Sequence, residues 1–561
     1  MAVKDKSVKD KIKVGILVNS LILEEWKREI IKEINASSYA EVVLFIKRKE
    51  PNPLTKSEKL WKYRGSIFYK IIETLDAFLS KKLTKKHVNA FAKKDYRDSN
   101  VPVIEVEPKT TKFSDIIVDE DLDKIKDYDL DIILRFGFRI LKGGILNSVS
   151  KQGVWSFHHG DNKVNRGGPP GFWEVLQGWK ETGCILQRLS EDLDGGYVLN
   201  RTWVATYKYN IRENKNRIYW RAIKIIPRLL KELHEEGTDV FYSNKKVLNP
   251  ANDFYTRKIY KAPGNWQGLL LLIKYIRIVV AQIIDVTFYK DQWFLLYRKG
   301  KQTPETSFRR MKKITSKKSM FWADPFLVHE NNRDYIFVEE YDWSISKGHI
   351  SVLDIVDNKV DKITKVIDND YHFSYPFIFQ YEGDYYMIPE TASNRTIELY
   401  KCDNFPYEWS FQKNLFENIA AVDTTLFYHN ELWWLFTSVD ETAKSTKHDE
   451  LFVFYATNPI TGNWTPHKKN PVITDAKVAR PAGNLFVSDG KMFRPSQNCT
   501  GIYGSSININ EIKVLTKDEY KEQLIDNLKP DWDKKLRGIH TINFNEKITV
   551  LDGFEKVSKF F

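Results

Sequence analysis

The chain reads as an α/β domain built on a parallel sheet, followed by an all-β propeller of five blades. Three observations predict this. The first half alternates short apolar runs with helical periodicity: Ile12 to Val18, an amphipathic stretch from Leu23 to Ile34, then Val42 to Ile46, which is strand, helix, strand in βαβ order. From Phe321 onward, pairs of short alternating strands joined by a Gly, Asn or Asp turn recur at about 50 residues, the period of propeller blades. Aromatic residues make up 14% of the chain, with 16 Trp, and such side chains favour pleated, half-buried surfaces.

At 561 residues, 42% of them hydrophobic, the chain has ample apolar content but is too long for one core. The expected division is an α/β domain over 1–205, a helical linker over 206–289 and the propeller over 290–561. Within the first domain, residues 50–100 are Lys-rich with a helical stripe of Leu60, Tyr63, Ile67, Ile71, Leu75 and Phe78. This predicts a surface helix inserted before the sheet resumes at Val101 to Val106. Asp131 to Phe136 is a further buried strand. The linker carries a basic helix, Ile218 to Leu233, and an apolar stretch, Gly268 to Ile284.

The net charge of +13 and pI near 9.1 admit nucleic acid, anionic lipid or phosphorylated substrates. The lysines are scattered through segments such as Met1 to Lys13 and Lys81 to Lys94, with no nucleic-acid-binding signature, so no nucleic-acid partner is expected. Cys184, Cys402 and Cys499 lie far apart and in no metal-ligand spacing, which points to a reducing compartment and no metal. Met1 to Lys11 lacks the apolar core of a signal peptide, so the expected location is the cytoplasm. Gly268 to Ile284, broken by Lys274 and Arg277, is too short and too charged to span a bilayer. Two readings stay open: a helix packed between domains, or an amphipathic helix in peripheral contact with a membrane.

The densest chemistry comes after the short run Gly153-Val154-Trp155. His158 and His159 come where that strand ends at a cleft, and Asp194 sits in a Leu193-Asp194-Gly195-Gly196 turn after the apolar run Cys184 to Leu189. A histidine and a carboxylate at neighbouring strand ends make a general base with its orienting group.

His158, Arg166-Gly167, Pro169-Pro170, Trp173, Thr182-Gly183 and Leu193-Asp194-Gly195-Gly196 resemble the core of the folate-dependent formyltransferases. The resemblance implies a Rossmann-type domain and a site at Ser156, His158 and Asp194. It also implies 10-formyltetrahydrofolate as donor, beside Phe136, Gly137 and Phe138. Ser156 stands where the family has an Asn that donates to the oxyanion, and losing such a donor typically costs about 3 kcal/mol. His159 replaces the usual Pro. A scaffold that has given up this chemistry is the alternative.

In the second half, Asp324-Pro325-Phe326 leads to Glu339, and Tyr375-Pro376-Phe377 leads to Glu390 at the same interval. Asp423-Thr424-Thr425 leads to Trp433-Trp434, and Asn484-Leu485-Phe486 to Met492-Phe493-Arg494. A fifth blade would be closed by Gln292 to Arg298 pairing with Ile539 to Phe544. The Trp322-Ala323-Asp324-Pro325-Phe326 start resembles the five-bladed propellers of glycoside hydrolase family 43. A propeller gathers its first strands around a channel, so Asp324, Tyr375, Asp423 and Arg480 should meet in one cavity, with Glu390 and Arg494 as further carbohydrate-site candidates. Facing carboxylates are what glycosidic cleavage requires, and Trp322, Trp343 and Tyr375 would offer faces to sugar rings. Polar groups that merely satisfy one another, sugar binding and hydrolysis are equally compatible with this pattern.

Together these readings predict an enzyme that moves a formyl group from 10-formyltetrahydrofolate to the amine of an amino sugar in surface polysaccharide or glycolipid biosynthesis. The propeller would hold a glycan or nucleotide-sugar acceptor. The alternative is a carbohydrate-active propeller, hydrolase or glycosyltransferase, fused to a formyltransferase-like scaffold with altered chemistry. A glycan-binding assembly protein is the third reading.

Overall fold

The computed structural model describes residues 10–49, 55, 58, 61, 63–83, 88–97, 100–191, 195–250, 258–300, 311–357 and 359–560. They cluster into two compact units, 1–203 with 207–278, and 204–206 with 279–561. The helical stretch expected as a linker thus clusters with the first unit as far as Ile278.

The first unit is built on a seven-stranded sheet. Its strands are β1 (Ile12–Val18), β2 (Ala40–Arg48), β3 (Val103–Val106), β4 (Ile132–Arg135), β5 (Val154–His158), β6 (Glu181–Arg188) and β7 (Tyr197–Ala205). Their spatial order is β7-β6-β5-β4-β1-β2-β3. β1 runs parallel to β2 and β4, and β5 parallel to β4, while β6 turns back antiparallel on β5. β1 reads as a nearly continuous apolar run because it is covered on both faces. Helix α1 (Glu25–Ala36) buries Trp26, Ile30, Ile31 and Ile34, a single stripe at helical spacing.

The chain steps outward from β1 to β3, then returns to β4 on the other side of β1. The carboxyl ends of β1 and β4 therefore flank the topological switch, where open α/β sheets form their crevice. Here the two ends are fastened together: the Phe138 amide donates to Asn19 Oδ1 at 2.7 Å, and Gly137 lies so close that a Cβ would fall 2.6 Å from the Asn19 amide nitrogen.

Three helices complete what matters for this unit: α2 (Ile67–Leu83), α3 (Ile211–Ala222) and α4 (Asn265–Phe288). Buried Asp76 of α2 accepts from the backbone amides of Ile211 and Arg212 at the start of α3, each at 2.8 Å.

The second unit is a five-bladed β-propeller of four-stranded antiparallel sheets. The first blade runs Met320–Glu330, Arg333–Asp342, Lys347–Val356 and Lys359–Ile367. The second begins at Ser374, the third at Ala421, and the fourth holds Lys491–Asn498 and Ser506–Leu515. The last blade closes the ring with both ends of the unit, but not as expected. Tyr289–Lys299 pairs along its length with Ile548–Ser558, and Ile542–Phe544 pairs with the other edge of that same strand. Ile542–Phe544 therefore takes the inner position. A blade needs a long second strand between its inner and third strands, and only 548–558 supplies it.

Candidate functional site

In the first unit, strand alternation sorts the residues around His158. Ser156 and His158 share one face of β5, and the intervening Phe157 faces the other way. Ser156 is buried, accepts from Arg135 Nη1 at 3.2 Å and donates to the Phe157 carbonyl at 3.3 Å. Its hydroxyl is therefore held by the sheet. His158 is half-buried, with Nε2 3.1 Å from the Asn165 carbonyl oxygen. His159 belongs to an aromatic core: it stacks on Tyr219 at 3.6 Å and meets Trp26 edge-on, and burial drives its pKa well below the usual histidine value. Asp161 accepts from Arg201 at 2.9 Å and from the Trp203 indole at 3.1 Å, clamping the loop after β5. Asp194 lies outside the described residues.

The residues expected beside a folate present no open face. Phe136 packs edge-on against Trp26 at 5.3 Å, and Phe138 lies in the core with Leu17, Ile133 and Leu141. Only backbone groups at this loop could meet a donor. Sequence reasoning passed over Glu174, which accepts from the Asn165 side chain at 3.1 Å and leaves Oε2 without a hydrogen bond. Burial pushes its pKa up to about 7. An acid inside the apolar run Phe172-Trp173-Glu174-Val175-Leu176 was the available signal, because buried acids are rare unless paired.

The propeller gathers a larger cluster. Asp324, Tyr375 and Asp423 take φ of +50, +44 and +54, a strained conformation for non-glycine residues. Each lies within a register shift of its inner strand. Arg480 and His540 hold corresponding places in the last two blades. On the second strands, Glu339, Glu390, Gln497 and Asp552 lie alongside.

Asp423 anchors the cluster. Arg480 grips it with Nε at 2.5 Å and Nη2 at 3.0 Å, and Gln497 donates to it at 2.7 Å. Arg480 also reaches Glu390 at 3.6 Å and His448 at 2.8 Å. Across the ring, His540 pairs with Asp552 at 2.5 Å and approaches Asp324 at 3.7 Å, while Thr541 donates to Asp324 at 2.6 Å. His372 Nε2 stands 3.4 Å from Glu339.

Burial raises Asp324 to about 6 against the pull of His540, and raises Asp423 to about 6 against that of Arg480. Glu339 is pushed far above the carboxylate range by burial and then by Asp324, Glu390, Asp552 and Asp423 around it. Burial takes His372 the other way, to about 4.

Asp324, His540 and Asp552 place three ligand atoms within 4.8 Å of one another, close enough for a cation. His540 and Thr541 already satisfy these carboxylates, and no ion is needed to explain the arrangement.

Several expected roles change. Arg494 is fully buried away from the channel, paired with Glu522 at 2.9 and 2.7 Å. Tyr375 is fully buried, and its hydroxyl bridges Thr425 and the Gly483 amide. Trp322 donates to Glu340 at 2.9 Å inside the first blade. Neither ring can stack on a sugar. Tyr503, 39% exposed, lies 5.0 Å from the Arg480 guanidinium and edge-on to His540, and is an exposed aromatic beside the cluster.

Residues 304–544 match the family model described as glucosamine inositolphosphorylceramide transferase 1, N-terminal. The chain is 36% identical over 208 residues to the glucosamine inositolphosphorylceramide transferase 1 of Oryza sativa subsp. japonica, covering 36% of this chain and 28% of the relative. It thus spans little more than a quarter of that relative's length. A separate similarity, 39% over 77 residues, is to the methionyl-tRNA formyltransferase of Prochlorococcus marinus, covering 14% of this chain and 22% of that one. Among solved structures, the family 117 glycoside hydrolase Zg3597 of Zobellia galactanivorans aligns at 11% identity over 47% of this chain and 90% of its own, with a TM-score of 0.32. A likeness at that level carries no functional weight.

Proposed function

We propose that the propeller channel carries out glycosyl transfer in the assembly of a glycolipid. The observation that supports this is the set of buried acids facing the channel, Asp324, Glu339 and Asp423, whose pKa values burial and one another raise. Glu339, whose pKa burial and the neighbouring acids raise, gives its proton to the leaving oxygen as the glycosidic carbon–oxygen bond breaks. Asp423, fixed by Arg480 and Gln497, balances the positive charge that develops on the sugar ring. Glu390 takes the proton of the acceptor hydroxyl as the new carbon–oxygen bond forms, and Tyr503 stacks on the sugar. The similarity of 304–544 to the plant transferase model supports a sugar and an inositol-phosphate lipid as the substrate classes.

A second reading is formyl transfer at His158, favoured by the similarity to methionyl-tRNA formyltransferase. The sugar in the plant relative's name is an amino sugar, whose amine is the acceptor this reading needs. Against it stand Ser156, committed to Arg135, and aromatic rings that offer a folate no open face.

One assay separates the two. The full chain is incubated with nucleotide-activated amino sugars, inositol-phosphate lipids and labelled 10-formyltetrahydrofolate. Sugar should pass from nucleotide to lipid without consumption of the formyl donor, and Glu339→Gln should cut the rate about 100-fold or more without lowering the melting temperature. Formyl label on the sugar amine without sugar transfer would replace the proposal with the second reading.

A further inference from the structure

Helices α2 and α4 are fixed side by side within the first unit. Asn265 accepts from the Ile67 amide at 2.7 Å and donates to the Arg64 carbonyl at 2.8 Å. Farther along, Tyr275 donates to Asp76 at 2.6 Å, and Gly268 lets the helices close on Phe68. These contacts keep the two N-terminal ends together. The inward faces are accounted for: Tyr69, Ile72 and Asp76 on α2, and Leu271 and Tyr275 on α4, are buried.

The outward faces are apolar as well. Ile67, Ile71 and Phe78 of α2 are 43–54% exposed, and Leu270, Ile273 and Ile276 of α4 are 44–51% exposed. A cleft of about 870 Å³ runs beside α2, lined by Tyr63, Ile67, Ile71, Leu75 and Phe78 together with Arg64, Lys70 and Thr74. A helix on a water-facing surface presents polar residues outward, and contiguous apolar patches of this kind mark interaction sites.

We infer that this paired face seats the first unit on an anionic lipid surface. The charges decide for a bilayer over a protein partner. Arg64, Lys70, Lys274 and Arg277 stand in or beside the apolar stripe, and no Asp or Glu occurs from Asn265 to Ile284. Glu73, the acid on the exposed side of α2, is bonded to Tyr69 and Lys70. Long cationic side chains can reach phosphate headgroups while their stems cover apolar surface. Trp61, Tyr63 and Trp266 gather at the shared N-terminal end of the pair and are exposed, as aromatic residues are at the level of lipid headgroups. Among the described residues no helix is long and apolar enough to cross a membrane, so the pair lies in the interface plane.

Membrane seating of this face is independent of the chemistry of the channel. The full chain is sedimented with vesicles of phosphatidylcholine, with and without phosphatidylserine, at low and high salt. It should bind the phosphatidylserine vesicles at low salt. Lys274→Gln and Arg277→Gln should each weaken binding about five-fold, and Leu270→Ser with Ile273→Ser should weaken it at least about ten-fold. All four side chains lie on the exposed side, so near-ultraviolet dichroism and turnover of a water-soluble acceptor should be unchanged. No binding at low salt, or binding indifferent to these substitutions, would overturn the inference. So would a concentration-dependent dimer abolished by Leu270→Ser, which would give the face to a second copy.

Discussion

Arg480 and Arg494 carry the same guanidinium into the fourth blade and serve different ends. Arg480 faces the channel and holds Asp423. Arg494 holds Glu522 and the Val478 carbonyl between strands. The difference is parity: Gln497 points to the channel, and Arg494, three positions earlier on the same strand, points to the opposite face. Arg494→Ala leaves Glu522, nearly buried, with the Tyr520 hydroxyl in place of a charged partner and should lower stability by about 3 kcal/mol, read from urea unfolding monitored by tryptophan fluorescence. A loss below about 1 kcal/mol would mean the pair is solvated. Parity also explains what was legible here. Asp324, Tyr375, Asp423 and Arg480 could be placed because each opens a blade at a recurring interval. Arg494 could not, because an interval locates a strand and leaves open which way one side chain on it points. Glu339 was visible as the partner of Glu390 in the repeat, yet its raised pKa comes from its burial and then from four acids brought together from other strands of the ring.

The strand, helix, strand order of the first unit was readable from periodicity, because alternation and helical spacing are local properties. What the loops at strand ends do was not. Gly137, at the end of β4, needs no unusual φ; its requirement is the close approach of Val18 and Asn19 from β1, 119 positions away for the Phe138–Asn19 bond. Gly137→Ala would drive a Cβ within 2.6 to 2.8 Å of that backbone and should cost about 1–3 kcal/mol through overpacking. Differential hydrogen exchange should show faster exchange at the Phe138 amide, and an unchanged rate there would deny the fastening. The surface helix expected before the sheet resumes is present as α2, and only the identity of its buried face was not legible. Leu60, Tyr63, Ile67, Ile71, Leu75 and Phe78 form the most regular apolar stripe before the sheet resumes, and periodicity normally marks the face turned to the core. Here the core takes Tyr69, Ile72 and Asp76, while Tyr63, Ile67, Ile71 and Phe78 of the stripe are exposed and Leu75 is half-buried.

At the scale of the whole chain, the channel acids make folding depend on pH in a direction opposite to that of ordinary ion-paired carboxylates. Asp324 and Asp423 each rise from 3.8 to about 6 in the folded protein. Between those values the folded state binds protons that the unfolded chain has released. Stability contributed by these groups is therefore fully present below about 4 and is lost as pH rises through about 6, with each group adding about −1.4 kcal/mol per pH unit inside that window. Glu340, lowered in spite of burial by its bonds to His349, Trp322 and Ser351, works the other way, since its contribution is lost as pH falls through its folded value. The test is the difference between two pH profiles. Urea midpoints of the chain and of Asp324→Asn are measured from pH 4 to pH 7.5, with the propeller followed by near-ultraviolet dichroism. The variant cannot titrate at that position, so its stability should fall less steeply with rising pH across the window, and the two profiles should run parallel above about 7. Parallel profiles throughout would mean that Asp324 ionises at its ordinary value, and that solvent reaches the channel floor freely. Convergence on the acid side with a steeper fall for the unsubstituted chain would establish that the burial which raises the channel's acid groups is maintained at the expense of stability at neutral pH.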